Sequence, residues 1–545
     1  MASRHKTKIK TQAQNSETFS AGFPASTRAI LTKRLILSRL DWGPVVVALG
    51  LIVLYSLLPL GTAIEFGGDE GIELMKGLLV SKGYKLYTQI WNDQPPVLTM
   101  LLSLIFRVCG PSILAARLLA ALFGTILFLA LYQAVQMRSN RVAAGAAVFF
   151  LAAAPGMLQL SSSVMLEVPA IGTAVVSMWL LFGWVRKGKL RWLLFSGAVM
   201  GIALQIKLTA VIVAPAICLE ILAAVAMNRN MKALAHSNVS SNKGLATTKC
   251  PNGKSVFRSA LRAGLSWVSA VALTSIVIGF LFAKGSLASS WRSHTGTQHV
   301  SGMPSPDDFR FRADLFLKHL ECLAGAVVGA AILFRGKRFR ELQFPCVLLI
   351  TSLLIHFFHR PWWPYYYLHL AVPLAWLSGI AFAEIVKRTS QLLTTKTTAR
   401  LKWWKLGTLS ILAGGGIVVS EMRLEGNVRA LRVLPIVNGN PIVQKMRQFA
   451  PKTDWVYAQP EIYAFHAGLR VPPELTVVVL KRFWSGQINT IDIIETCRRY
   501  KVEQLVLYES RVSPQWKEFL TPVYVLAERG SNCLLYASQQ LTGSK

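Results

Sequence analysis

Charge is what this 545-residue chain has least of. Asp, Glu, Lys and Arg make up 16% of it, where a soluble protein of this size carries about 25%. Carboxylates are scarcest, 26 against 59 Lys and Arg, which leaves a formal net charge of +33. Cysteine is sparse as well. The seven cysteines form no C-x-x-C pair, so the spacing writes neither a zinc knuckle nor a disulfide framework. Cys497 and Cys533 are the two that an oxidising compartment could join, but buried free thiols are the expected state. No glycine-rich loop opens a helix within residues 421–545 to cradle a phosphate, and no internal repeat is found. No cleavable leader is evident either, because the first apolar run comes late and is long enough to stay in a bilayer.

What fills the chain instead is apolar sequence: 53% hydrophobic residues and a mean hydropathy of +0.43. This is the composition of a polytopic α-helical membrane protein. Eleven apolar runs cover 44–64, 113–136, 142–159, 168–185, 191–206, 208–227, 264–283, 320–334, 344–358, 368–386 and 406–420. Several are shorter than the roughly 20 residues of a spanning helix, and the fifth and sixth are parted only near Lys207. The excess of positive charge does not point to nucleic acid, because Lys and Arg cluster in alternate short loops, at 137–141, 186–190, 228–263, 335–343 and 387–405. A positive-inside topology arranges cations this way, with anionic lipid head groups as counter-charge.

That parity predicts a multi-pass protein of the plasma (inner) membrane in three parts: a basic cytoplasmic tail over 1–43, a membrane domain over 44–420 with a large first outer loop at 65–112, and an extracytoplasmic domain over 421–545. The last part reads as α/β. Trp455–Ala458, Gln504–Tyr508 and Cys533–Tyr536 have strand patterns, and Ile491–Tyr500 reads as an amphipathic helix.

An ionisable residue at membrane depth is a functional candidate by default. Asp69 and Glu70 lie where the first run leaves the bilayer, in Gly67-Gly68-Asp69-Glu70-Gly71, and read as an acidic catalytic pair. Glu167, in Leu166-Glu167-Val168-Pro169, is a second isolated acid on the same expected face. Arg117, Lys207 and Arg360 are cations there, and Tyr365–Tyr367 could add hydrogen bonds to a phosphate or a sugar. Each has a plainer reading. An acid and a proline suit the first turn of a helix, a lone cation snorkels to the head groups, and aromatics form interfacial belts. Gathering on one face favours a pocket. His356 and His359 are spaced i, i+3, and His294 and His299 lie in an outer loop, but no third ligand follows from spacing, and structural metal sites usually need four.

Asp69-Glu70, Gly83-Tyr84-Lys85-Leu86-Tyr87, Asp93-Gln94-Pro95-Pro96, Phe106-Arg107-Val108-Cys109-Gly110 and Ala116-Arg117-Leu118 together resemble the first outer loop of GT-C glycosyltransferases. The nearest branch is that of protein O-mannosyltransferases and bacterial aminoarabinose-type lipid A transferases. Glu167-Val168-Pro169-Ala170, Lys207-Leu208-Thr209-Ala210 and Tyr366-Tyr367-Leu368-His369 follow in that family's order, so the resemblance covers most of 44–390. It implies a GT-C fold and a membrane glycosyltransferase that passes a sugar from a polyprenyl-phosphate donor to a hydroxyl on a lipid, glycan or protein acceptor. It assigns the general base to Asp69, with Glu70 beside it, and the donor phosphate to Arg117, Lys207 and Tyr366. Arg360 joins these from its place on the same face. Family members often carry Lys before the Pro-Pro pair, where this chain has Gln94. A divalent metal is one way to neutralise such a leaving group, and Arg and Lys are another. The competing reading is a transporter or flippase of lipid-linked sugars, since charges within spans also mark substrate paths.

Overall fold

The computed structural model describes residues 41–240, 253–282, 303–394 and 399–543. The basic tail up to residue 40, His294, His299 and part of the cationic 228–263 loop lie outside the described residues. Two units divide the chain, 1–46 and 47–545. The described end of the first unit opens helix α1 (Gly43–Ser56), where the Asp41 carboxylate accepts a hydrogen bond from the Gly43 N–H at 3.2 Å.

In the second unit, six helices among the described residues are long and apolar enough to cross a membrane: Ile113–Arg138, Glu167–Lys187, Leu208–Met227, Val256–Phe282, Phe339–Phe358 and Pro364–Thr394. Shorter apolar helices stand at Val97–Cys109, Arg141–Ala152 and Leu190–Leu204. Not every one of the eleven runs is a single helix. The run at 142–159 breaks where Pro155 meets Gly156, which has φ +73°; proline ends one helix and glycine takes the left-handed turn into the next, Met157–Ser162. The fifth and sixth runs are separate helices, with Lys207 in extended backbone between them. Side-chain caps set other starts: Ser112 accepts from Ala115 N–H at 3.3 Å, and Asn140 from Ala143 N–H at 2.9 Å.

With lipid as solvent, helices hold together by close approach rather than by the hydrophobic effect. Gly379 shows this. A Cβ there would lie 2.4 Å from the Ala143 carbonyl oxygen, so only glycine lets these two helices meet. Outward faces stay apolar: Leu273, Ile276 and Phe280 on one helix are 65–70% exposed.

The segment expected as a large outer loop is largely helical. Helix α2 (Glu70–Ser81) packs against α3 (Val97–Cys109), and nearly all of α2 is buried. The C-terminal region carries a four-stranded sheet: β1 (Val456–Ala458), β2 (Gln504–Tyr508), β3 (Tyr524–Arg529) and β4 (Cys533–Ser538), in spatial order β1-β2-β4-β3. β1 runs parallel to β2, with Tyr457 opposite Leu505, and the crossover contains the expected amphipathic helix at Thr490–Arg499. β4 is antiparallel to both neighbours. Cys497 and Cys533 are both buried and free.

This sheet region is fastened to the segment that leads into the first loop. Ala63 forms an antiparallel bridge with Ile436, flanked by hydrogen bonds from Ile64 N–H to the Pro435 carbonyl and from Val437 N–H to the Thr62 carbonyl, both 2.8 Å. A close approach is made at Gly71, where a Cβ would lie 2.4 Å from the Ile462 backbone nitrogen. The first turn of α2, which follows Asp69 directly, is thereby set against Ile462.

Candidate active site

A cavity of about 330 Å³ lies between the membrane helices, the first loop and the sheet region. Four of the expected site residues line it: Asp69, Glu167, Lys207 and Tyr366.

Asp69 immediately precedes α2. Its backbone is already helical and its side chain caps nothing. The carboxylate is half-buried at the cavity wall and forms no ion pair or side-chain hydrogen bond among the described residues. Burial, then the negative charge of Glu167, push it up to about 6, with Glu73 and Asp93 adding and Lys207 opposing.

Glu167 is the first residue of helix Glu167–Lys187, and it is ion-paired with Lys207. The Lys207 ammonium lies 4.8 Å from the Tyr365 ring centroid and 5.3 Å from that of Tyr366. A lysine carried at the break between two helices, with a carboxylate and two aromatic faces around it, is a fixed positive charge in a dry site. Tyr366 is itself held in place by stacking on His356 and His369, at 5.2 and 5.9 Å between centroids. Those two imidazoles share a hydrogen bond of 2.9 Å.

The remaining three expected residues are placed elsewhere. Glu70 and Arg117 form a fully buried ion pair outside the cavity. Arg117 Nε and Nη2 donate to the two Glu70 oxygens at 2.9 Å, and its other N–H groups go to the carbonyls of Leu60, Ala63 and Ile64 at 2.9–3.1 Å. All five guanidinium donors are used. Glu70 also accepts from the N–H groups of Phe66 and Val164. The pair holds the turn from which Asp69 projects, and it has no donor left for a phosphate. Arg360 lies near the surface and donates to the carbonyls of Phe357 and His359 at 3.0 Å.

The cavity also holds charged residues that the sequence reading did not single out as site residues. Glu73 and Lys76 on α2 pair at 2.7 Å, and Lys76 also donates to Asn92 at 3.0 Å. Asp93 accepts from Gln94 at 2.9 Å and lies 3.7 Å from Lys481. The sheet region adds Gln459, Glu461, Tyr508 and Arg511. A signal for the α2 residues exists: Asp69, Ile72, Glu73 and Lys76 all line the cavity, and their i, i+3, i+4, i+7 spacing is one face of a helix. No local pattern marks the residues contributed by the sheet region. As for a metal, no three His, Cys, Asp or Glu side chains among the described residues gather in a way that could hold one. The cations that the cavity offers to an anion are Lys76, Lys207, Lys481 and Arg511.

With this geometry in view, the chain can be set beside known proteins. Residues 93–239 match the dolichyl-phosphate-mannose-protein mannosyltransferase family. No curated protein sequence matches. Among solved structures, ArnT from Cupriavidus metallidurans is similar in its apo state, with a TM-score of 0.60 at 16% identity over 92% of this chain and 98% of that one. The same protein bound to undecaprenyl phosphate gives 0.59 at 15% identity, over 91% and 98%. The apo oligosaccharyltransferase of Archaeoglobus fulgidus gives 0.56 at 12% identity, over 88% of this chain and 71% of that one. The fold is that of the GT-C proteins, and the chain is a membrane protein.

Proposed function

We propose that this chain is a membrane glycosyltransferase that moves a sugar from a polyprenyl-phosphate donor to an acceptor hydroxyl, with inversion, on the extracytoplasmic face of the plasma membrane. The observation that carries the reading is the pairing of groups in one cavity: a carboxylate, Asp69, without an ion-pair partner among the described residues, and a buried lysine, Lys207, framed by Tyr365 and Tyr366. The solved neighbours lend support, since one was captured with undecaprenyl phosphate and another with dolichol-phosphate and an inhibitory peptide.

The chemistry follows from the parts. The acceptor O–H gives its proton to an Asp69 oxygen as its own oxygen attacks the anomeric carbon. The bond from that carbon to the phosphate oxygen breaks, and polyprenyl phosphate departs with the electron pair. Attack from the side opposite the phosphate inverts the centre. The leaving group is already an anion, so no general acid is required. Lys207, steadied by Glu167 and the tyrosine faces, stabilises the growing phosphate charge. A base pushed up to about 6 is ionised at neutral pH and is still basic enough to accept a proton.

The alternation of cationic loops supports a cytoplasmic amino terminus and an external cavity. A reporter fused after residue 430 is expected to be active outside the cytoplasm, and cytoplasmic activity would reverse the orientation. The reaction itself is tested with Asp69→Asn in full-length protein. Sugar transfer should fall by about a hundredfold or more, while binding of undecaprenyl phosphate persists. Transfer at the wild-type rate would remove Asp69 as base. Movement of a labelled lipid-linked sugar across vesicles with no product formed would make the protein a transporter instead.

A further inference from the structure

Once the ion pairs of the cavity are set aside, three charged groups are left over. Glu73 is taken by Lys76, Glu167 by Lys207, and Asp93 by Lys481. Asp69, Glu461 and Arg511 have no ion-pair partner among the described residues. Asp69 has its role as base. The other two both come from the sheet region.

Glu461 is 4% exposed and lines the cavity, and its carboxyl makes no hydrogen bond to another residue among those described. Its place is fixed by the close approach of Gly71 to Ile462, which brings the residue just before Ile462 up to the end of α2 that bears Asp69. Burial pushes Glu461 up to about 8, with the carboxylates of Glu65 and Asp69 adding. At neutral pH it therefore keeps its proton and offers both an O–H donor and a carbonyl acceptor. Arg511 lies over the Tyr508 ring, 5.1 Å from its centroid. Gln459 completes this wall, and its amide nitrogen is occupied by the Val478 carbonyl at 3.2 Å. The backbone N–H of Glu461 donates to its own carboxyl and opposes that rise, but a buried carboxyl so sparsely partnered is costly to keep unless a ligand completes its hydrogen bonds.

We propose that Glu461, with Gln459, Tyr508 and Arg511, forms the acceptor subsite, and that the acceptor it takes is a saccharide. The inference rests on the glycosyltransferase reading. Paired donors and acceptors on Glu461 and Arg511 suit neighbouring hydroxyls of a sugar ring, and the half-buried Tyr508 offers an aromatic face to its C–H surface. Lys207 and the two tyrosines are then left for the donor. Glu461 holds one sugar hydroxyl so that another faces Asp69.

The test uses full-length protein in membranes with a radiolabelled polyprenyl-phosphate sugar, and follows both transfer and undecaprenyl phosphate binding. Glu461→Ala should lower transfer about tenfold or more, the effect of losing hydrogen bonds to a buried group, while undecaprenyl phosphate affinity stays within about twofold. Glu461→Gln, whose amide also donates and accepts, should keep most of the activity. The labelled sugar should be recovered in glycosidic linkage to another sugar, whether that acceptor glycan is lipid-linked or free. Unchanged transfer in Glu461→Ala overturns the proposal. So does loss of undecaprenyl phosphate binding in that variant, which would put Glu461 in the donor site, or recovery of the label on a protein serine or threonine. Full transfer by Asp69→Asn, or no transfer by wild type, strikes the underlying reading instead.

Discussion

Removing Arg117 separates a structural role from a substrate-binding one. In Arg117→Met the side-chain volume is nearly kept, but Glu70 loses both bonds from the guanidinium and remains fully buried. The carbonyls of Leu60, Ala63 and Ile64 lose their donors in the same change, although Ile64 still accepts from His466 Nε2 at 2.7 Å. Breaking one side of a buried pair costs about 3–5 kcal/mol, and orphaned carbonyls add to it. The double variant Arg117→Met/Glu70→Gln removes the stranded charge, so it should recover about 1–3 kcal/mol relative to the sum of the single changes. Equilibrium unfolding in detergent, run as a double-mutant cycle, measures this. Protein that remains folded should bind undecaprenyl phosphate with nearly wild-type affinity, because Arg117 has no donor to spare. An Arg117→Met protein of wild-type stability that has lost phosphate binding would refute the argument and return Arg117 to the donor site.

Other outcomes follow from the same geometry. Lys207→Met should weaken undecaprenyl phosphate binding by about tenfold or more, or about 1.4 kcal/mol, as read by titration of the purified protein; unchanged affinity would place the phosphate elsewhere. If Asp69 is the base, kcat/KM should rise with pH through about 6 and fall about tenfold per unit below it, and a flat pH–rate profile would count against the assignment. Glu65 sits in the same loop with one oxygen buried and unpartnered, and burial, then Glu70 and Asp69, push it up to about 8 from an ordinary 4.5. Between those values the folded state holds a proton that the unfolded chain has released, so stability falls as pH rises. Glu65→Gln should remove that slope, leaving the variant more stable than wild type above about pH 8 and little changed near pH 4.5. Gly71→Ala should impair activity by forcing α2 away from Ile462, whereas Gly50→Ala, with open space around it, should not; the two compared in one transfer assay check whether that close approach matters.

The fold was largely legible because membrane burial leaves its mark in composition and loop charge, both local properties. Strands at 456–458, 504–508 and 533–538 and the helix at 490–499 could be read for the same reason: each has its own periodicity. β3 escaped notice, since its burial is patchy and Glu528 and Arg529 blunt its pattern. The site was legible only in part. Asp69, Glu167 and Lys207 stand out as charges among apolar neighbours, which is a signal along the chain. Arg117 stands out equally, and the sequence cannot distinguish a charge spent on an internal pair from one offered to a ligand; that depends on the carbonyls of residues 60–64 meeting it in space. Glu461 and Arg511 sit in ordinary polar sequence and come to line the cavity only when the sheet region meets the first loop.

The same meeting has a bearing on biosynthesis. Asp69 leaves the ribosome long before the wall that contains Gln459, Glu461, Tyr508 and Arg511. A nascent chain can insert its helices and expose Asp69, yet it has only one side of the cavity until the sheet region forms and closes on Gly71. On the proposed reading, transfer competence is thereby withheld until Arg511 has been made. On the same reading, a half-made copy stalled in the bilayer is poorly equipped to discharge an activated lipid onto water.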